Sequence, residues 1–137
     1  RLVPLALTIV EDVVQRLFQA CRRNRLEMLL EIIPSKVGAV DDNSTAKLIS
    51  RFYDIGIYPD WWKLEPMQSD AAWAATCDAI NARDPHVQGI VVLGLGQSEA
   101  ELASSFRLAA KILIRYCSTG ELMVNVVINY ENETETK

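Results

Sequence analysis

The hydrophobic pattern of the chain alternates between two periods. Residues about 2–9 form an apolar run of strand length. Residues about 10–24 then place Val10, Val13, Val14, Leu17, Phe18 and Cys21 at helical spacing. Leu26 to Ile33 fits either period, but Pro34 stops the run at strand length. Ser44 or Asn43 is placed to cap a helix running to about Asp54, and Gly56 ends it. A short strand over about 60–65 is closed by Pro66. Ser69 begins a helix to about Arg83, which Asp84-Pro85 breaks. Gly89 to Leu95 is a nearly continuous apolar strand, as in parallel sheets covered on both faces. Gly94 and Gly96 turn the chain, and Ser98 caps a helix to about Tyr116. Leu122 to Tyr130 reads as a last strand, and residues 131–137 as a frayed polar tail.

Strands alternating with helices predict a single α/β domain over residues 1–137, with a parallel sheet and right-handed crossovers. Two architectures satisfy this. One is part of a (β/α)8 barrel, the other an open doubly wound sheet. A whole barrel takes about 250 residues, so a barrel here is incomplete. Its open strand edges would invite pairing with a second copy, a homo-oligomer.

Composition narrows the partners. Half of the residues are hydrophobic and 23% are charged, a globular balance. A net charge of −4 leaves no broad basic footprint for nucleic acid. Arg22, Arg23 and Arg25 do cluster, at the end of a predicted helix whose dipole they complement. No apolar run approaches the ~20 residues of a membrane span. The apolar start lacks a small-residue cleavage site and runs into Glu11-Asp12, so a cytoplasmic location is expected. Cys21, Cys77 and Cys117 have no metal-site spacing and read as reduced thiols. His86 is the only histidine. A zinc site or histidine triad therefore has little support, and no metal or cofactor is expected.

In both architectures function sits at the carboxyl ends of the strands. The stretch Pro59-Asp60-Trp61-Trp62-Lys63-Leu64-Glu65-Pro66 is the most informative there. Alternation puts Lys63 and Glu65 on one face with Trp61, and Trp62 and Leu64 on the other. On the preceding strand, Glu31 shares a face with Glu27, Leu29 and Ile33, opposite the apolar Met28, Leu30 and Ile32. Parallel strands about 4.8 Å apart would bring Glu31 beside Lys63. Such a cluster is either a semi-buried ion network or a Schiff-base lysine with carboxylates that move protons. Neighbouring carboxylates favour a charged amine and desolvation a neutral one, and the sequence leaves both open.

Other candidates are weaker. Ser35 and Lys36 follow the first of these strands and could meet a substrate phosphate; Lys36 could equally be a surface lysine. Trp61 could be a substrate platform or packing. Gly94 and Gly96, with Gln97 and Ser98, could present backbone amides to an anion. That turn lacks the third glycine of a dinucleotide fingerprint and the lysine of a P-loop, which makes nucleotide binding the least supported function.

Three segments carry a family resemblance. They are Leu29-Leu30-Glu31-Ile32-Ile33-Pro34, Arg51-Phe52-Tyr53 through Gly56-Ile57-Tyr58-Pro59 to Glu65-Pro66, and Gly89-Ile90-Val91-Val92-Leu93-Gly94-Leu95. Together they resemble the aldolase-type domain that follows the sugar-kinase domain in bacterial 5-dehydro-2-deoxygluconokinase of myo-inositol catabolism. That domain is similar to the tagatose-bisphosphate aldolases, (β/α)8 barrels that act through a Schiff-base lysine. The resemblance implies that Lys63 forms the imine, Glu31 relays a proton and Glu65 orients Lys63 or adjusts its charge. It also implies retro-aldol cleavage of a phosphorylated keto-deoxy sugar acid, a small-molecule sugar phosphate, to dihydroxyacetone phosphate and malonate semialdehyde. The match covers residues about 11–111; residues 1–10 and 112–137 depart from it, and no Gly-Arg phosphate turn follows Lys111. A catalytically inactive barrel fragment that binds a sugar phosphate or a partner chain is the alternative.

Overall fold

The computed structural model describes residues 5–94, 98–117 and 127–129, with side chains over 10–94 and 98–111. Helix α1 (Leu5–Asn24) comes first, then strand β1 (Leu29–Ile32) and a 3-10 turn (Pro34–Lys36). Helix α2 (Ser44–Asp54), β2 (Trp61–Leu64), α3 (Asp70–Asn81), β3 (Gly89–Leu93), α4 (Glu99–Cys117) and β4 (Val127–Asn129) follow. The strand expected over 2–9 is corrected, because the chain is helical from Leu5. Leu5, Ala6 and Leu7 are strong helix formers. The expected last strand is described only over β4, and the expected tail lies outside the described residues.

Local signals explain the helix ends. Ser69 caps α3 by accepting the Ala72 N–H at 3.0 Å. Ser98 and Glu101 form a reciprocal capping box at α4, the Ser98 N–H donating to Glu101 at 2.8 Å. Helix α2 differs from expectation. Asn43 occupies its cap position without a side-chain bond. Asp41 instead accepts from the Asn43 N–H and the Ser44 hydroxyl, an Asx turn that organises the helix start. Gly56, at φ 82°, ends α2, with the Ile57 N–H returning to the Phe52 carbonyl at 3.0 Å. Arg25 makes the same turn after α1 at φ 56°, with Leu26 N–H on the Cys21 carbonyl.

The four strands are parallel and lie in the order β1-β2-β3-β4. A doubly wound sheet needs a reversal of strand order. None occurs among the described strands, which form an open parallel sheet in sequential order. All four helices pack on one face of it. Met28, Leu30, Ile32, Trp62, Leu64, Ile90 and Val92 point into a core with Phe18, Ile49, Phe52, Trp73, Ile80 and Ala109. The opposite face carries Leu29, Glu31, Trp61, Lys63, Val91 and Leu93; the helix residues of the core pack on the other side, and on this one Leu29 and Glu31 are exposed while Val91 is buried.

Asp60 ties the amino ends of the strands together. Its carboxylate accepts the Met28 N–H at 2.8 Å and Arg22 Nη1 at 3.1 Å. Its N–H donates to the Met28 carbonyl at 2.9 Å, and its carbonyl accepts the Gln88 N–H at 2.8 Å. Behind it lies a buried polar chain. Trp62 Nε1 donates to the Tyr53 hydroxyl at 3.0 Å, and that hydroxyl donates to Asp84 at 3.4 Å. Burial pushes the Tyr53 phenol well above its ordinary value.

Two stability predictions follow from these contacts. Asp60→Ala should cost about 1–3 kcal/mol in urea unfolding, because the Met28 N–H and Arg22 both lose a partner. Tyr53→Phe should cost a similar amount by leaving the Trp62 N–H unpaired. Tyr53 also sets an alkaline limit. Its raised folded value keeps its contribution intact below the ordinary phenol value of 10.0, and stability falls as pH rises above it. Tyr53→Phe should flatten that alkaline slope in a pH series of urea midpoints.

Candidate functional site

The register of β1 on β2 builds the site. Leu29 pairs with Trp61, Leu30 with Trp62, Glu31 with Lys63 and Ile32 with Leu64. Because alternate residues face the core, Glu31 and Lys63 stand side by side on the opposite face. Lys63 Nζ lies 3.2 Å from Glu31 Oε1, and their side chains are 15% and 36% exposed. The amine is largely withdrawn from water, with one carboxylate in proton-transfer range.

Glu65 lies just beyond β2, and its carboxylate engages Ser35. The Ser35 N–H donates to Oε2 at 3.0 Å, and the Ser35 hydroxyl donates to Oε1. Lys36 is the next residue of the same 3-10 turn and is exposed. Beyond Glu65 lies a cavity of about 300 Å³ lined by Pro34, Asp41, Asp42, Thr45 and Ser69.

Trp61 sits one row below Lys63, toward the amino ends. Its indole N–H donates to Glu27 at 3.0 Å, and Gln88 donates to the other oxygen of that carboxylate at 2.9 Å. Those two bonds, Gln88 first, hold the Glu27 carboxyl below the usual carboxylate range. Gly94 is buried at the end of β3. Gly96 lies outside the described residues, and so does most of the glycine turn. The structure thus brings Glu31, Lys63 and Trp61 together on one face, and Glu65, Ser35 and Lys36 at one strand end.

Sequence reasoning placed Glu27 on the correct face but missed its partnership with Trp61 and Gln88. Gln88 is 61 residues away in sequence, and only the parallel register brings it near. Among the described residues, no three His, Cys, Asp or Glu side chains converge as metal ligands, and no helix is long and apolar enough to cross a membrane.

Residues 6–121 match a family described as "Uncharacterized protein conserved in bacteria (DUF2090)". The chain belongs to the DUF2090 family. No curated protein and no solved structure matches it. The matched span of this DUF2090 chain contains the strand pair that carries Glu31 and Lys63, and Glu65 just beyond it.

The Glu27 contact gives a test of the face itself. A depressed folded value means that Glu27 stabilises above the ordinary carboxylate value of 4.5 and loses this as pH falls through its lower folded value. The Trp61 indole N–H resonance should therefore hold its position above pH 4.5 and move only below it. In Glu27→Gln that acid step should vanish.

Proposed function

We propose that this chain is part of a (β/α)8 barrel wall and acts as a Schiff-base aldolase, a carbon–carbon lyase on a phosphorylated keto sugar acid. The observation that carries the reading is the Glu31–Lys63 pair, 3.2 Å apart on the sheet face away from the helices, with Lys63 mostly withdrawn from water and Glu31 open to it. The barrel part is supported by the sequential order of the parallel strands and by helices on one face only. It is also supported by the flank of α1, where Val10, Val13 and Leu17 are exposed. A neighbouring β-α unit would cover that stripe.

The chemistry begins with proton transfer from Lys63 to Glu31 as a carbonyl approaches. The neutral amine adds to the carbonyl carbon, and water leaves to give the iminium. Glu31, having passed its proton on to the departing oxygen, takes the proton of the substrate hydroxyl. The carbon–carbon bond then breaks, and its electron pair flows into the iminium as an enamine. Protonation and hydrolysis of the enamine return Lys63 and release the second product.

A second reading, an inactive barrel fragment binding a sugar phosphate or a partner chain such as a second copy, is favoured by the same exposed α1 stripe and by exposed Leu29 on the edge strand β1. Borohydride reduction with dihydroxyacetone phosphate, followed by peptide mass mapping, separates the two. The aldolase reading expects a reduced adduct on Lys63 that is absent in Lys63→Met. A folded chain that yields no adduct sinks the aldolase reading and leaves the binding one.

A further inference from the structure

The bonds of Glu65 carry a step beyond the Schiff-base reading, on which this inference rests. We propose that Glu65 and Ser35 are a positioning pair. They fix the Pro34–Lys36 turn over the strand ends so that Lys36 receives the anionic end of the substrate.

Glu65 shares the Lys63 face by alternation, yet both of its oxygens are engaged by the N–H and hydroxyl of Ser35. A carboxylate held by two donors on one residue is oriented toward that residue, and it is a poor proton carrier for another. Ser35, in turn, has its N–H and its hydroxyl hydrogen committed to Glu65. The consequence falls on the next residue. Two backbone bonds close the turn, Lys36 N–H to the Ile33 carbonyl at 3.2 Å and Val37 N–H to the Pro34 carbonyl at 3.1 Å, and Glu65 pins its middle. Among the described residues, the Lys36 side chain has no ion-pair or hydrogen-bond partner. Of the described cations flanking this turn, Lys63 is paired with Glu31 and Lys47 with Asp41. The cavity beyond Glu65 is lined by Asp41 and Asp42, which turn an anion away. Lys36 is therefore an unpaired described cation on this turn, placed to meet a phosphate or carboxylate while the carbonyl meets Lys63.

The test compares borohydride trapping by dihydroxyacetone phosphate and by dihydroxyacetone, which lacks the anion. The proteins are wild type, Glu65→Gln, Ser35→Ala, the double variant and Lys36→Met. The expected result is that the half-saturating phosphate-probe concentration rises about 10-fold in each variant while the limiting trapping rate holds. Trapping of dihydroxyacetone should not change. The double variant should be no worse than either single one, since the two residues act as a unit. Amide exchange over residues 35–37 should quicken in Glu65→Gln and Ser35→Ala. Unchanged exchange would overturn the tether. An equal loss of limiting rate with both probes in Glu65→Gln would also overturn the proposal, assigning Glu65 to the chemistry of Lys63 and leaving the Schiff-base reading intact. No trapping by folded wild type would overturn the Schiff-base reading and this inference with it.

Discussion

Everything distinctive about this chain depends on the register of β1 against β2, and Asp60 is the residue that holds it. Its side chain takes the Met28 N–H and Arg22, and its backbone bonds both Met28 and Gln88. One residue thus joins the end of α1 to the starts of three strands. A slip of one residue would turn every side chain of β1 to the other face. Met28, Leu30 and Ile32 would leave the core, and Glu31 would enter it. Apolar burial and the Asp60 bonds therefore favour the same register, which is what makes it unique.

The Glu31–Lys63 pair is a consequence of that register, not its cause. A partly exposed ion pair contributes on the order of 0–1 kcal/mol. The core around Trp62 and Trp73, both fully buried, contributes far more, since one large side chain is worth about 1.5–3 kcal/mol. The scaffold could lose the pair and keep its fold.

The strand–helix alternation was legible because its signals are local. Ser69, Ser98, Gly56 and the Asp84-Pro85 break each act within a few residues of where they stand. The two faces of β1 and β2 were legible for the same reason, and so was the approach of Glu31 to Lys63 once the strands were taken as neighbours. The first apolar run was misread because its length fits a strand, whereas Leu5-Ala6-Leu7 continues the helix that follows. Strand order was out of reach, since nothing in a single sequence says which edge the next strand joins. The bonds of Glu65 to Ser35 and of Glu27 to Gln88 were hidden for the same reason. Each joins residues 30 or more positions apart, through a register that only the folded sheet supplies.

The tension between a charged and a nucleophilic lysine takes a definite form in the structure. Lys63 Nζ lies 3.2 Å from Glu31 Oε1, and with Glu31 36% exposed water still reaches the carboxylate. Anything covering that face would remove the water. Under the proposed Schiff-base reading, a substrate that fills the space does so as its carbonyl arrives, and the proton passes from Lys63 to Glu31 within the pair. On that reading the cover over the sheet and the reactivity of the lysine are one physical question, because the same displaced water decides both.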